Sequence, residues 1–237
     1  MRRLVIGDIH GGYKSMIQVL ERAKFNPQDD LLIGIGDYVD GWSETSKVID
    51  YLMKLKNFKG VIGNHDYWAS DWMVGFYSER MWIKQGGQAT IDSYKGNILL
   101  QDVIKHGEWL KSLPYFLEID NKLFVHGGSK DLHNIKNEFG LDITWDRNLW
   151  GKVATKYFDF KSYPFKIETA PYDEVYLGHT TTSRARPDLK PIMLDNYFLI
   201  DQGGGMEGKL TVMDIDTKEY WQSDLVKDLY SDERGRN

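Results

Sequence analysis

Short apolar runs that break off at a glycine and a polar residue recur along the first part of the chain. Leu4-Val5-Ile6 runs into Gly7-Asp8-Ile9-His10-Gly11-Gly12, and Leu31-Leu32-Ile33-Gly34-Ile35 into Gly36-Asp37-Tyr38-Val39-Asp40-Gly41. Gly60-Val61-Ile62 runs into Gly63-Asn64-His65-Asp66. Each run has the length and apolar character of a buried strand. A helical stripe follows each polar loop. Met16, Ile17, Val19, Leu20 and Ala23 mark Ser15–Lys24, ended by Asn26-Pro27; Val48, Ile49, Leu52, Met53 and Leu55 mark Glu44–Lys56, with Ser43 as a candidate N-cap. Trp68, Trp72, Met73 and Phe76 mark the third helix. Strands alternating with helices predict an α/β fold with largely parallel strands.

The pattern then changes. Residues 86–117 read as mostly helical up to Pro114, with Ile104, Trp109, Leu110 and Leu113 as core and His106, between Lys105 and Glu108, as a surface histidine. Tyr115–Ile119 and Lys122–Val125 read as paired strands about an Asp120-Asn121 turn, the second leading into His126-Gly127-Gly128. His133 lies in a polar loop. Residues 141–172 crowd aromatic side chains (Trp145, Trp150, Tyr157, Phe158, Phe160, Tyr163, Phe165, Tyr172) without clean periodicity, which suits a substrate-shaping insertion or an aromatic satellite core. Glu174–Leu177 is a strand ending in Gly178-His179-Thr180. Ile192–Leu194, Tyr197–Ile200, Leu210–Ile215 and Glu219–Trp221 read as short strands of an antiparallel second sheet. The polar stretch Ser231–Asn237 is expected to fray. One domain spanning 1–237, built as a two-sheet sandwich with helices outside, accounts for both halves.

Composition narrows the function classes. With 30 basic and 35 acidic residues the net charge is −5, so no basic field recruits a nucleic-acid duplex. Cysteine is absent, which removes disulfides and thiolate metal sites and is compatible with the cytoplasm, the expected location. No apolar run approaches the roughly 20 residues that span a bilayer, and Leu4–Ile6 is too short for a signal-peptide core. Neither a membrane nor a nucleic-acid duplex is expected as a partner, and the oligomeric state is open.

The chemistry lies in the strand-end loops. His10, His65, His126 and His179, four of the six histidines, fall there together with Asp8, Asp37 and Asp40. In an open α/β sheet, ligands bind outside the carboxyl ends of the strands. Asp8 and His10, two residues apart in extended backbone, point the same way and can grip one ion. Oxygen and imidazole donors suit Mn, Fe or Zn. The candidates outnumber the ligands of one ion, so two ions are expected, bridged by Asp37 and by a hydroxide, about 3.5–4 Å apart. Such a pair activates water and clamps a phosphoryl group. His65 is the candidate proton donor to the leaving oxygen, with Asp40 orienting it through the other ring nitrogen. Arg147, after Trp145-Asp146, and Arg184 or Arg186 are candidate anion binders.

Taken in order, Gly7-Asp8-Ile9-His10-Gly11, Gly36-Asp37-Tyr38-Val39-Asp40, Gly63-Asn64-His65-Asp66, His126-Gly127-Gly128 and Gly178-His179-Thr180 resemble the motifs of the calcineurin-like metallophosphoesterases, nearest the phosphoprotein phosphatase branch with its small bacterial and phage members. The resemblance implies a four-layer α-β-β-α sandwich. It implies Asp8, His10 and Asp37 on the first metal and Asp37, Asn64, His126 and His179 on the second, with Mn favoured, His65 as general acid and Asp40 behind it. Arg147 resembles that family's second phosphate-binding arginine, and Arg184 is the weaker match. Two departures stand out: Gly41, then Trp42, where the branch carries a phosphate-binding arginine, and Asp66 in place of the commoner glutamate.

The function these residues imply is hydrolysis of phosphate monoesters, first of phosphoserine or phosphothreonine on proteins, by direct attack of a metal-bound hydroxide. The alternative substrate is diadenosine tetraphosphate or a related nucleotide, for which Trp42 or the 141–172 segment would supply a stacking platform. A non-catalytic metal-binding module is the alternative of another class, favoured by Gly41 and opposed by the His65–Asp40 pair.

Overall fold

The structure, a computed structural model, describes residues 1–96, 98–158, 171–184 (the backbone only at Arg184) and 186–236. Its first half is built from β1 (Arg3–Ile6), α1 (Tyr13–Arg22), β2 (Leu31–Gly34), α2 (Thr45–Lys54), β3 (Phe58–Gly60) and α3 (Asn64–Gly75). Short helices α4 (Arg80–Trp82) and α5 (Gln88–Ser93) flank a π-turn at Ile83–Gly87, and the longer α6 (Leu100–Ser112) follows. Then come β4 (Phe116–Ile119), β5 (Lys122–Val125), α7 (Gly140–Trp145), α8 (Asn148–Phe158), β6 (Glu174–Leu177), β7 (Ile192–Leu194), β8 (Tyr197–Leu199), β9 (Thr211–Asp214), β10 (Tyr220–Gln222) and α9 (Val226–Leu229).

These strands form two mixed five-stranded sheets, ordered β10-β9-β1-β2-β3 and β4-β5-β6-β8-β7. In the first, β1, β2 and β3 run parallel, while β9 is antiparallel to β1 and β10 to β9. In the second, β5, β6 and β8 run parallel between the antiparallel edges β4 and β7. Alternation along each strand sets the layers, because successive side chains point to opposite faces. Leu4 and Ile6 of β1 pack with Val19 and Val48 of the covering helices, while Val5 between them packs with Phe124, Tyr176 and Phe198 of the other sheet. Leu123 and Val125 face Leu149 and Val153 of α8 on the far side. The result is the α-β-β-α sandwich. Phe124, Tyr176 and Phe198 are in register across β5, β6 and β8, and their rings stack at 4.9 and 4.7 Å through the middle layer.

Several expectations need correction. The short strands after residue 190 are not one antiparallel second sheet. β9 and β10 return to the first sheet beside β1, and β8 pairs parallel with β6. Strand β3 lies at Phe58–Gly60, ahead of the predicted Gly60–Ile62, which places Val61 and Ile62 in the descent to the loop. Ser43 does not cap α2: its Oγ donates to Glu233 at 2.7 Å. Val103 rather than Ile104 is buried on α6, and Phe76, in a left-handed C-cap after α3, is exposed. His106 is buried, its Nδ1 2.8 Å from the Tyr94 hydroxyl and its Nε2 3.4 Å from Asp50, because α2 and the residue after α5 cover that face of α6. The segment Ser231–Arg236 does not fray but packs against the loop after β2. Of the 141–172 aromatics, Trp150, Tyr157 and Tyr172 border the second core; Phe160, Tyr163 and Phe165 lie outside the described residues.

Candidate metal centre

Every chemical motif leaves the carboxyl end of a parallel strand: Asp8 and His10 after β1, Asp37 and Asp40 after β2, Asn64 and His65 after β3, His126 after β5, His179 after β6. The two sheets bring these ends to one edge of the sandwich. The loops interlock at van der Waals limits. Gly36 has φ +94°, and a Cβ there would stand 2.7 Å from the Gly63 nitrogen and 2.9 Å from His126 Nδ1, so only glycine fits. His10, Asp37, Asp40 and His179 all adopt left-handed backbone, with φ from +49° to +71°. Non-glycine residues held there are strained by about 1–3 kcal/mol each, and such strain concentrates at functional sites.

Two ligand groups result. Asp8, His10 and Asp37 form one, and Asp37, His126 and His179 the other; within each, all ligand atoms lie within 4.8 Å of one another. Asp37 belongs to both. Asn64 Oδ1 lies 3.1 Å from His126 Nε2 and joins the second. All six side chains are buried. His10 Nδ1 lies 2.9 Å from the Val39 carbonyl and His126 Nδ1 2.8 Å from that of Ile35. A carbonyl can only accept, so both rings carry Nδ1–H and turn Nε2 inward, where a bound cation would replace any proton on it. Among the described residues, Asp8 Oδ1 and His179 Nε2 are buried with no hydrogen-bond partner, and Asp37 Oδ2 has only the ion pair with His126 Nε2 at 3.3 Å and longer ones. Buried acceptors without donors cost about 1–3 kcal/mol each, and bound cations satisfy them. The donor set fits two hard or borderline ions that take oxygen and nitrogen.

The charge balance points the same way. Burial, then the charges of Asp201 and Asp37, push the Asp8 carboxyl well above its usual range. At Asp37 burial acts upward too, but the imidazoles of His126, His65 and His10 outweigh it and hold the carboxyl well down. Burial opposes protonation of His126, yet Asp37 and Asp8 lift it to about 9. His179 is pushed down to about 2 by burial, His126 and Arg147, which keeps its Nε2 lone pair free. Acids crowded into a dry site are stable only with cationic company.

Behind the ligands stand two supports. His65 Nδ1 lies 2.6 Å from Asp40 Oδ2, while Nε2 is buried with no hydrogen-bond partner among the described residues. The Asp40 carboxylate is itself fixed by Trp82 Nε1–H at 2.8 Å and the Thr90 hydroxyl at 2.7 Å. Asp66 is the second support. Its carboxylate accepts the backbone N–H of Asp37, Tyr38 and Gly63 at 2.7, 2.8 and 2.9 Å, joining the two loops that present Asp37 and Asn64. The sequence shows Asp66 only as a variant motif residue; its bracing role is a matter of contacts.

Arg147 lines a polar cavity of about 90 Å³ beside this centre, with His10, His179, Thr180, Asp201 and Arg236 among its walls. Arg184 is described by its backbone alone, so its candidate role lies outside the described side chains. Arg186 is turned away, paired with Asp188 at 2.6 Å. His133 is exposed in its loop. Trp42 is not a stacking platform for a ligand: it is fully buried and stacks on Tyr230 at 5.0 Å. Sequence reasoning missed Asp201 and Arg236. Asp201 had a signal, since it ends the apolar run Tyr197–Ile200 just before three glycines, as the other strand-end acids end theirs. Arg236 had none.

A family model described as calcineurin-like phosphoesterase matches residues 1–204. The serine/threonine-protein phosphatase 2 of Escherichia coli (strain K12) is 30% identical over 148 residues, 62% of this chain and 66% of that protein. The symmetrical bis(5'-nucleosyl)-tetraphosphatase of Buchnera aphidicola subsp. Acyrthosiphon pisum is 28% identical over 151 residues, 63% of this chain and 48% of that protein. This chain therefore spans about two thirds of the first relative and about half of the second. Among solved structures, a candidate diadenosine tetraphosphatase superposes with TM-score 0.67 at 16% identity over 93% of this chain and 92% of that one. A metallophosphoesterase from Sphaerobacter thermophilus gives 0.57 at 17% identity over 95% and 89%. At such identities the superpositions speak for the fold. No helix among the described residues is long and apolar enough to cross a membrane.

Proposed function

The chain belongs to the calcineurin-like phosphoesterase family, and from that premise we propose that it hydrolyses phosphate monoesters with two divalent ions, first of all those of phosphoserine and phosphothreonine in proteins. One observation carries the reading: two buried ligand groups share Asp37, and the unpartnered Nε2 of His65 lies beside them. Asp8, His10 and Asp37 would hold one ion and Asp37, Asn64, His126 and His179 the other, with Mn favoured. Bound ions of this kind supply an activated water and neutralise charge on the phosphoryl oxygens. The rest falls to side chains. Arg147, in the wall of the small cavity, meets the phosphoryl oxygens. His65 carries a proton on Nε2 to the leaving alkoxide, and Asp40, on Nδ1, holds the ring in register and balances its charge. A purely structural metal site has no use for that pair.

A second substrate reading is favoured by the groove next door. Tyr67, Trp68, Tyr77 and Trp145 line a cleft of about 300 Å³; Trp68 touches His65 edge-on at 5.5 Å and Trp145 touches His179 at 5.8 Å. Aromatic walls at that distance suit a stacked base as well as a peptide side chain. The deciding experiment reconstitutes the protein with Mn and compares phosphopeptides, p-nitrophenyl phosphate and diadenosine tetraphosphate side by side. Fastest turnover of phosphopeptides supports the first reading and of the dinucleotide the second. No turnover of any of them with any divalent metal refutes the enzymatic proposal.

A further inference from the structure

Position 41 lacks a side chain, and the space that one would fill is taken. Gly41 has φ +84°, and a Cβ built on it would stand 3.2 Å from Cγ of Arg236. A Cβ on Gly86, hydrogen-bonded to Gly41 across 3.2 Å, would stand 3.0 Å from the same carbon. The arginine stem thus lies over two glycines, from the far end of the chain. Its backbone N–H donates to the Gly205 carbonyl at 2.7 Å, and its guanidinium reaches inward to place Nη1 2.8 Å from His10 Nε2 and 3.9 Å from Asp37 Oδ2.

The residues after Gly41 form the seat for this segment. Trp42 donates Nε1–H to the Gly204 carbonyl at 2.8 Å and stacks on Tyr230 at 5.0 Å with 22° between the rings. A Cβ on Gly235 would stand 2.8 Å from the Trp42 ring, so glycine is what lets the chain lie on it. Ser43 fixes the approach with N–H and O–H donated to the two oxygens of Glu233, at 3.0 and 2.7 Å. Gly41 leaves room for residues 230–236, and Trp42 and Ser43 contact them, a complementarity that a fraying segment would not have.

We infer that Arg236 is a phosphate-binding residue delivered by this docked segment, serving with Arg147 as the two sides of one oxyanion clamp. The inference rests on the phosphoesterase reading above. Both guanidinium groups line the same polar cavity of about 90 Å³, with Asp201 as an acid in its wall. Arg236 Nε is buried and has no hydrogen-bond partner among the described residues, so the fork holds a donor still unspent. An ion held by His10 would take the Nε2 lone pair that Nη1 now meets, so the guanidinium would give up that contact and stay available to an anion. A tetrahedral oxyanion accepts from Nε–H together with the Nη2 N–H that points along the same edge, the paired geometry that suits arginine.

The test is calorimetric titration of the Mn-loaded protein with inorganic phosphate, with metal content measured on the same samples. Arg236→Ala is expected to weaken phosphate binding by about 100-fold or more, the worth of the two charge-assisted hydrogen bonds of one fork, at unchanged Mn content. Arg236→Lys, which keeps the stem and charge but not the fork, is expected to fall between. Truncation after Tyr230 is expected to match Arg236→Ala. Unchanged phosphate affinity in Arg236→Ala overturns the inference. So does tighter Mn binding with phosphate affinity unchanged, which would make Arg236 a latch on His10. Loss of Mn together with phosphate would make it a structural residue and also overturns it. Wild-type protein that binds phosphate through Arg236 but turns over no ester would leave the clamp standing and refute the phosphoesterase reading alone.

Discussion

Asp66→Asn tests whether the metal centre is held by its brace. The carboxylate takes three backbone N–H donors, from Asp37, Tyr38 and Gly63, at 2.7–2.9 Å. An amide offers one oxygen. Standing where Oδ2 stands, it keeps the bonds from Asp37 and Gly63, and its NH₂ then faces the Tyr38 N–H donor to donor. One hydrogen bond to a charged group is lost and one buried N–H is orphaned, about 2–4 kcal/mol together. The two surviving bonds weaken from charge-assisted to neutral. Burying a neutral amide rather than a carboxylate beside Asp37 offsets part of this, since burial and the Asp37 charge already push the Asp66 carboxyl up to about 7. A net loss of about 3 kcal/mol in a chain of this size lowers Tm by roughly 6–12 °C. The loop that presents Asp37, a ligand in both groups, loosens at the same time. Thermal unfolding by circular dichroism should therefore show two effects: a lower Tm in chelator and a smaller rise in Tm on adding Mn. A variant within about 2 °C of wild type in chelator, with the same Mn-induced rise, would refute the bracing argument. Asp66→Ala, which orphans all three N–H groups, should cost more than Asp66→Asn.

Other outcomes follow from the same contacts. His65→Ala should keep its metal and lower kcat by about 10²–10⁴ for alkyl phosphates but far less for p-nitrophenyl phosphate, whose leaving group needs no acid; an equal loss across leaving groups argues against a proton on Nε2. Arg147→Ala should raise KM for phosphate esters and weaken inhibition by phosphate, and an unchanged KM would remove it from the clamp. Trp42→Ala should destabilise the fold by about 3–5 kcal/mol through loss of a fully buried ring, read as a shift in the urea midpoint; a loss below about 1 kcal/mol would contradict the tight packing. His106→Leu orphans the buried Tyr94 hydroxyl and should cost about 1–3 kcal/mol at pH 8. Burial lowers the His106 pKa in the fold, against the pull of Asp50 and Asp102. The unfolded chain then binds the extra proton, so wild-type stability falls as pH drops below about 6.5 and the gap to the variant narrows. A gap that widens toward pH 5 would reverse the assignment.

Much of this protein is written locally. An apolar run cut by glycine and an acid fixes a strand and the end at which its polar residues gather, because period and termination are properties of a few neighbouring residues. Asp8, His10, Asp37, His126 and His179 were legible for that reason, and parallel strands brought them to one edge without further instruction. The Asp120-Asn121 turn was legible too, both residues adopting the positive φ that such a hairpin requires.

What the sequence could not settle depends on partners distant in the chain. The strands after residue 190 look alike locally, yet β8 joins the second sheet and β9 the first, since an edge is chosen by where the pleat and the middle-layer side chains fit. His106 has polar neighbours along its helix and is buried by α2 and by Tyr94. Asp66 is a brace only because two loops meet over it. Arg236 lies in a polar stretch that no periodicity marks, and its proposed role exists because Gly41 and Gly86 leave room for its stem and Trp42 gives its segment a seat. The sequence determined the metal-type residues and the strand ends that carry them. The tertiary structure alone decided which side chains stand behind them and which cation faces the cavity, because those contacts close over loops far longer than any local pattern can span.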